Sequence, residues 1–262
     1  MDNVNKTLYI PLYGKALVSR KGIILTDKKA EQIWESEGFP LKGKSRSKWL
    51  AYYMAMRSAV FDNCLKTELT KDSTAAVLHI GCGMDSRIER VGCGEHKWYD
   101  VDFPEVIKLR KKYYTETGNY KMTAGDVRKT DWLGEIPAGT NAVVVFEGVS
   151  MYLTTDEIKN FMRALGEHFC NVKLLMDCYT ERGAAATKIK NPINDVGVDT
   201  VYGIDDPKIL ETDMGFSFVR EHEMTPQDMI NELKGAERLF FKSMFGGKFA
   251  KSIYRIYEFE KR

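Results

Sequence analysis

At 262 residues, with 44% apolar and 29% charged side chains, the chain has the balance of a globular protein and enough length to bury a sizeable core, which excludes a disordered or fibrous polypeptide. A formal charge of +2 leaves no global excess with which to hold a polyanion, so no nucleic-acid partner is expected. The longest apolar runs, such as Ala142 to Phe146, are too short to cross a bilayer, no charged-then-apolar leader is visible, and five cysteines show no C-x-x-C pair. A cytoplasmic protein with no membrane partner, reduced thiols and no metal site is the expectation.

Residues 1 to about 70 read as a helical extension, in which Trp49, Tyr53, Met56, Val60 and Cys64 trace one apolar stripe. The basic stretch Lys42, Lys44, Arg46 and Lys48 within it reads as a loop or lid. From Ala75 short apolar runs alternate with helix-period segments, the pattern of a mostly parallel sheet with crossover helices on both faces. Seven strands are predicted near 75–80, 96–102, 119–124, 142–147, 172–178, 216–222 and 252–260, with helices near 86–91, 104–117, 155–169 and 226–244. Pro104 suits a first helical turn, and Thr154 or Thr155 with Glu157 nearby suits a capped start. The basic run 108–112 (KLRKK) reads as a solvated helix face. Residues 180–207, with five Gly or Pro, read as an excursion over the site. One domain spanning 1–262 is expected.

The first strand runs into Gly81-Cys82-Gly83, a turn whose missing Cβ atoms let a ligand approach the backbone. The next strand ends at Asp102, placed as nucleotide-binding sheets place a carboxylate for a ribose diol. A nicotinamide dinucleotide would use the same two parts, but the third glycine of its fingerprint is here Ser86. The third strand leads to Asp126 and Val127, which suit the exocyclic amine and the face of an adenine. The fourth ends at Glu147, which follows five apolar residues and so requires a partner, such as a ligand ammonium or a local Lys or Arg.

The stretches VLHIGCGMDSR (77–87), WYDVDFPEV (98–106), AGDVRKTDWL (124–133) and VVFEGVSMYLTTDEI (144–158) resemble the successive motifs of the leucine carboxyl methyltransferase-like family, including its bacterial polyketide O-methyltransferase branch. IPLYGKALVSR (10–20) and MRSAVFDNCL (56–65) resemble that family's leading helices. The resemblance implies an α/β fold with a Rossmann-like sheet, S-adenosylmethionine (SAM) as cofactor with S-adenosylhomocysteine as product, and O-methylation of a small-molecule acceptor. It implies that Arg57 and Lys15 hold the SAM carboxylate, Gly81 and Gly83 line its methionine portion, Asp102 binds the ribose, Asp126 and Val127 the adenine, and Glu147 faces the amino-acid end. Lys15 stands where that branch often has Arg, replacing a planar fork by a point charge.

No catalytic residue is identified. His79 reads as a satisfied core histidine and Tyr152 as a packing residue or a contact to the adenosine edge; His222, Asp177 and Tyr179 are weak base candidates. Without a base, an already ionised carboxylate acceptor is expected, with a phenol or enol second. A protein C-terminal carboxyl methyltransferase, an NAD-dependent dehydrogenase and a non-catalytic SAM-binding protein are the alternatives.

Overall fold

Five apolar residues in succession, Ala142–Phe146, form β4, and every one is buried because the strand has a core on each face. A computed structural model describes residues 7–41, 43–187, 201–212 and 214–262. Around β4 stand β1 (Ala76–Ile80), β2 (Trp98–Asp102), β3 (Tyr120–Ala124), β5 (Val172–Tyr179), β6 (Phe216–His222) and β7 (Tyr254–Lys261), in the order β3-β2-β1-β4-β5-β7-β6. The first five are parallel, and β7 pairs antiparallel with both β5 and β6. The order reverses between β1 and β4, so the chain leaves these two strands in opposite directions and opens a crevice at their carboxyl ends.

Three helices precede the sheet: α1 (Tyr9–Lys21), α2 (Lys28–Glu37) and α3 (Lys48–Lys71). Asp27 caps α2 by accepting from Ala30 N (2.8 Å), and Ser47 starts α3 by accepting from Trp49 N (3.3 Å). In the expected stripe, Tyr53, Met56 and Val60 are buried and join a core that includes Val77, Trp98 and Val143 from the sheet. Gly14 lets α1 lie close against α3, since a Cβ there would sit 3.1 Å from the Ala51 carbonyl oxygen.

The later helices are α4 (Arg87–Val91), α5 (Pro104–Arg110), α6 (Thr155–His168), α7 (Glu181–Thr187), α8 (Gln227–Glu232), α9 (Gly235–Phe245) and α10 (Lys248–Lys251). Thr154 and Glu157 form a reciprocal capping box on α6, whose Ile158, Phe161 and Leu165 fill the opposite core with Val144 and Leu174. Helices thus cover both faces, as expected. Two helices are shorter than their periodicity suggested. The segment 104–117 stops at Arg110, and 226–244 is broken where Leu233 and Lys234 turn extended before Gly235.

The basic run 108–112 is not simply a solvated face. Arg110 is fully buried, donating through Nε to Asp100 Oδ2 (2.8 Å) and through Nη1 to the carbonyls of Gly83 (3.1 Å) and Asp85 (2.7 Å). It braces the turn after β1 and is unavailable to a polyanion. In the basic loop, residues 43–46 form a 3-10 turn and Lys48 opens α3, while Lys42 lies outside the described residues. Of the expected excursion over 180–207, residues 188–200 lie outside them too. The five cysteines are free, and no described helix is long and apolar enough to cross a membrane.

Candidate active site

A cavity of about 910 Å³ opens at the carboxyl ends of β1, β2, β3 and β4, and all eight residues singled out in the sequence line it. Gly81 (φ 64°) and Gly83 (φ 49°) follow β1 in left-handed conformations that favour glycine. A Cβ on Gly81 would also lie 2.1 Å from Val149 Cγ2, so the turn tolerates no side chain.

Asp102 ends β2 beside them. Its Oδ2 accepts from Gly83 N (2.7 Å) and its Oδ1 from Phe103 N (2.8 Å), and among the described residues it has no ion-pair partner. Burial outweighs these two bonds and pushes its carboxyl up to about 6. Asp126 sits in a different setting: Arg128 grips both carboxylate oxygens through Nε and Nη2 and donates its backbone N–H as well, holding the group below the usual carboxylate range. It is therefore a turn residue as well as a cavity residue. Val127, half-buried, packs its inner side on the α6 core.

Glu147 immediately follows β4, and its partner comes from within the chain. Arg57 Nε (2.9 Å) and Ser58 Oγ (2.8 Å) donate to Oε1, and Arg87 Nη2 donates to Oε2. Burial alone would raise its carboxyl, but Arg87 and Arg57 outweigh burial and hold it at about 2. Arg57 is likewise engaged, its Nη1 lying 3.0 Å from Asp177 Oδ2 and 3.2 Å from the Tyr254 hydroxyl. Of the two partners that the sequence left open for Glu147, a ligand ammonium or a local Lys or Arg, the fold supplies arginines, and Glu147 and Arg57 belong to one buried network.

That network continues through Asp85, which pairs with Lys15 (3.1 Å), Arg90 (2.7 Å) and Arg87 (3.4 Å). Arg87 and Arg90 also hold Asp62, and Arg90 holds Asp27. Lys15, Arg57, Arg87 and Arg90 thus face Asp27, Asp62, Asp85, Glu147 and Asp177, so carboxylates outnumber cations by one. Asp85 and Arg87 stand inside the motif at 77–87, but their partners lie on α1, on α3 and immediately after β4, which sequence spacing does not reveal. Tyr254, Phe245 and Ile253 also line the cavity, and no motif around them marked them out.

The histidines and acids considered as bases are committed elsewhere. His79 is buried between Asp100, 3.0 Å from Nδ1, and Arg87 Nη1, 3.0 Å from Nε2; Arg87 can only donate, so the Nδ1–H points to Asp100. Burial and Arg87 depress its pKa, keeping it neutral. His222 lies away from the cavity, bonded to Glu258 (2.7 Å). Asp177 accepts from Gly148 N (2.7 Å) and the Tyr254 hydroxyl (2.8 Å) besides pairing with Arg57, and burial raises its carboxyl. Tyr179 lines the cavity with its ring edge-on to Tyr254 at 4.7 Å, and burial pushes the Tyr152 phenol up to about 12. Among the described residues no group of three or more His, Cys, Asp or Glu could hold a metal ion.

A Rossmann-like parallel sheet with an antiparallel β7 inserted before the edge strand, a glycine turn after β1 and a carboxylate ending β2 defines a SAM-dependent methyltransferase. The leucine carboxyl methyltransferase family model matches residues 3–166, and the chain belongs to that family. It is similar to the tetracenomycin polyketide synthesis O-methyltransferase TcmP of Streptomyces glaucescens, at 26% identity over 91% of this chain and 89% of the relative. It is also similar to the S-adenosyl-L-methionine-dependent methyltransferase dpfgK of Gibberella zeae, at 29% identity over 81% of this chain and 79% of the relative. Among solved structures, a putative methyltransferase from Thermobifida fusca shares the fold with a TM-score of 0.63 at 13% identity, covering 97% of this chain and 94% of that one. The enzyme's cofactor is SAM, which sets aside the dehydrogenase alternative.

Proposed function

We propose that this enzyme transfers the methyl group to an oxygen of a small, mainly apolar acceptor. The observation that carries this reading is the apolar share of the cavity lining. Besides the glycines and carboxylates at the ends of the parallel strands, Leu8, Ile10, Leu50, Met54, Tyr179 and Phe245 line it. A volume of about 910 Å³ stands at the upper end of small-molecule sites. The name of the Streptomyces relative supports oxygen as the acceptor atom.

The residues present fit SAM. Gly81 and Gly83 leave bare backbone for the methionine portion. Asp102, a carboxylate without a cation, would accept from the ribose hydroxyls; Asp126 and Val127 would meet the adenine. Lys15 and Arg57 would face the cofactor carboxylate, Glu147 would face the amino-acid end, and the network's excess of one carboxylate would balance the ammonium. When bound, SAM supplies a methyl on a sulfonium, an electrophile that needs no protein nucleophile. What remains to the chain is to hold the acceptor in line and exclude water, a task suited to an apolar wall.

Three groups of the wall that could take a proton are held out of that role: His79 has both ring nitrogens engaged, and burial keeps the Tyr152 and Tyr254 phenols protonated. An acceptor that arrives ionised meets that condition, so a carboxylate is favoured over a phenol or enol. Carboxylates titrate at roughly 4, so turnover at saturating SAM and acceptor should be flat from about pH 6 to 8. The product, a methyl ester, should be cleaved by mild alkali. An alkali-stable ether, or a rate rising tenfold per pH unit, rejects the carboxylate; turnover of a peptide C-terminus in place of any small acid rejects the small acceptor.

A further inference from the structure

Six large apolar side chains stay exposed among the described residues, and Leu239 (69%), Phe240 and Met244 bring three of them together within two turns of α9. At about 100° per residue these three share one arc with Ala236 and Ser243, while Phe241 turns into the core and Phe245 toward the cavity. The arc is an apolar helix face on which, apart from Trp49 at one border, these side chains stay exposed.

Its borders carry mainly one sign of charge. On one side Trp49 packs on Phe240 at 4.5 Å, with Lys48 over the indole at 4.6 Å. The one acid there, Glu237, is neutralised by Lys48 (2.7 Å) and Lys21 (3.7 Å). Arg238 and Lys242 stand exposed on the other side, with Lys234 at the helix start. Five cations against Glu237 and, two residues before Lys234, the exposed Glu232, in a chain whose net charge is only +2, make this a mainly basic rim around an apolar centre.

We propose that this face of α9 docks on an anionic lipid surface, with Leu239, Phe240 and Met244 entering the headgroup boundary and the basic rim meeting the lipid phosphates. The face is apolar at its centre and cationic on both flanks, which is the arrangement of helices that lie in a membrane interface. A second copy of the chain fits it poorly, because a twofold contact would bring one positive rim against another. A nucleic acid would leave the apolar centre unused. The patch also borders the cavity, since Trp49 adjoins Leu50, Met244 adjoins Phe245, and Leu50, Phe245 and Lys44 all line the cavity wall. A bilayer would then present apolar acceptors directly beside the site. No described helix is long and apolar enough to cross a membrane, but the expectation of no membrane partner does not follow from that for a helix lying on one.

Flotation of the full chain with vesicles tests this. The protein should float with vesicles of phosphatidylcholine and phosphatidylglycerol and remain below with phosphatidylcholine alone, and added salt should lower the bound fraction. Replacing the three apolar residues together (L239S, F240S and M244S) should abolish flotation. Reversing two charges (R238E with K242E), which disturbs no core residue, should lower partitioning roughly tenfold or more. Equal flotation on both vesicle types, flotation unchanged by either variant, or a dimer in sedimentation equilibrium that the apolar variant dissolves would overturn the proposal.

Discussion

Asp102 carries a charge that two backbone N–H groups and the more distant Arg110 offset only in part, and that makes its ionisation sensitive to a ligand. With its carboxyl at about 6 in the free protein, the ionised form is favoured by any hydroxyl that donates to it. If the ribose binds there, SAM affinity should be full above pH 6 and weaken as pH falls through that value, approaching a tenfold loss per pH unit. Calorimetric titration of SAM between pH 5 and 7.5 checks this, and Asp102→Asn should remove the dependence; an affinity flat in the wild type would reject the ribose contact. Asp102 was legible in the sequence because a strand end and a spacing from a glycine turn are local features. The partners of Glu147 were not, since Arg87 and Arg57 lie 60 and 90 residues away along the chain. The motif showed that Glu147 needed a cation, and only packing could say which.

At the scale of elements, the site depends on how close α1 and α3 come, because Lys15 rides on one and Arg57 on the other. Gly14 sets that approach: the nearest atoms to a Cβ there are the Ala51 backbone oxygen (3.1 Å) and Cα (3.2 Å), which cannot move as a side-chain tip could. Gly14→Val should push the helices apart, costing roughly 1–3 kcal/mol of stability. It should also weaken SAM binding, although residue 14 itself is not in the cavity wall. Gly118→Ala is the control, since no atom lies within 4 Å of its Cβ position and its φ is unrestricted; it should change neither. Equal behaviour of the two variants would show that the helix spacing does not govern the site. The stripe on α3 and the capping box on α6 were readable because periodicity and caps are written within one element. The break in the 226–244 segment was not, since apolar residues on both sides of Leu233 continue a helical pattern that backbone geometry interrupts.

For the molecule as a whole, seven strands and their mostly parallel arrangement followed from the alternation of apolar runs and helix periods, whereas the insertion of β7 between β5 and β6 depends on pairing that no local pattern encodes. That inserted strand carries Glu258, which joins His222 on β6 (2.7 Å) and Lys173 on β5 (3.0 Å), so the sheet edge is held partly by charge. Burial opposes ionisation of Asp100, Glu147 and Glu258, but their cationic and hydrogen-bonded partners hold each carboxyl at about 2. A carboxyl depressed on folding stabilises the native state above its unfolded value of roughly 4, and that contribution is lost as pH falls toward 2. Asp102 acts oppositely between about 4 and 6, which softens the upper shoulder of the acid limb. His222 is raised to about 9 by its hydrogen bonds to Cys64 and Glu258, so its contribution is complete below roughly 6.5 and disappears as pH rises through 9. The melting temperature should therefore plateau from about pH 6 to 7, drop steeply below 4 and decline gently above 7. His222→Gln should remove the part of the alkaline decline between pH 7 and 9 and lessen only the share of the acid limb that Glu258 carries, because His222 is bonded to Glu258 and touches neither Asp100 nor Glu147. A decline above pH 7 that is identical in the variant would place the alkaline weakness elsewhere in the fold.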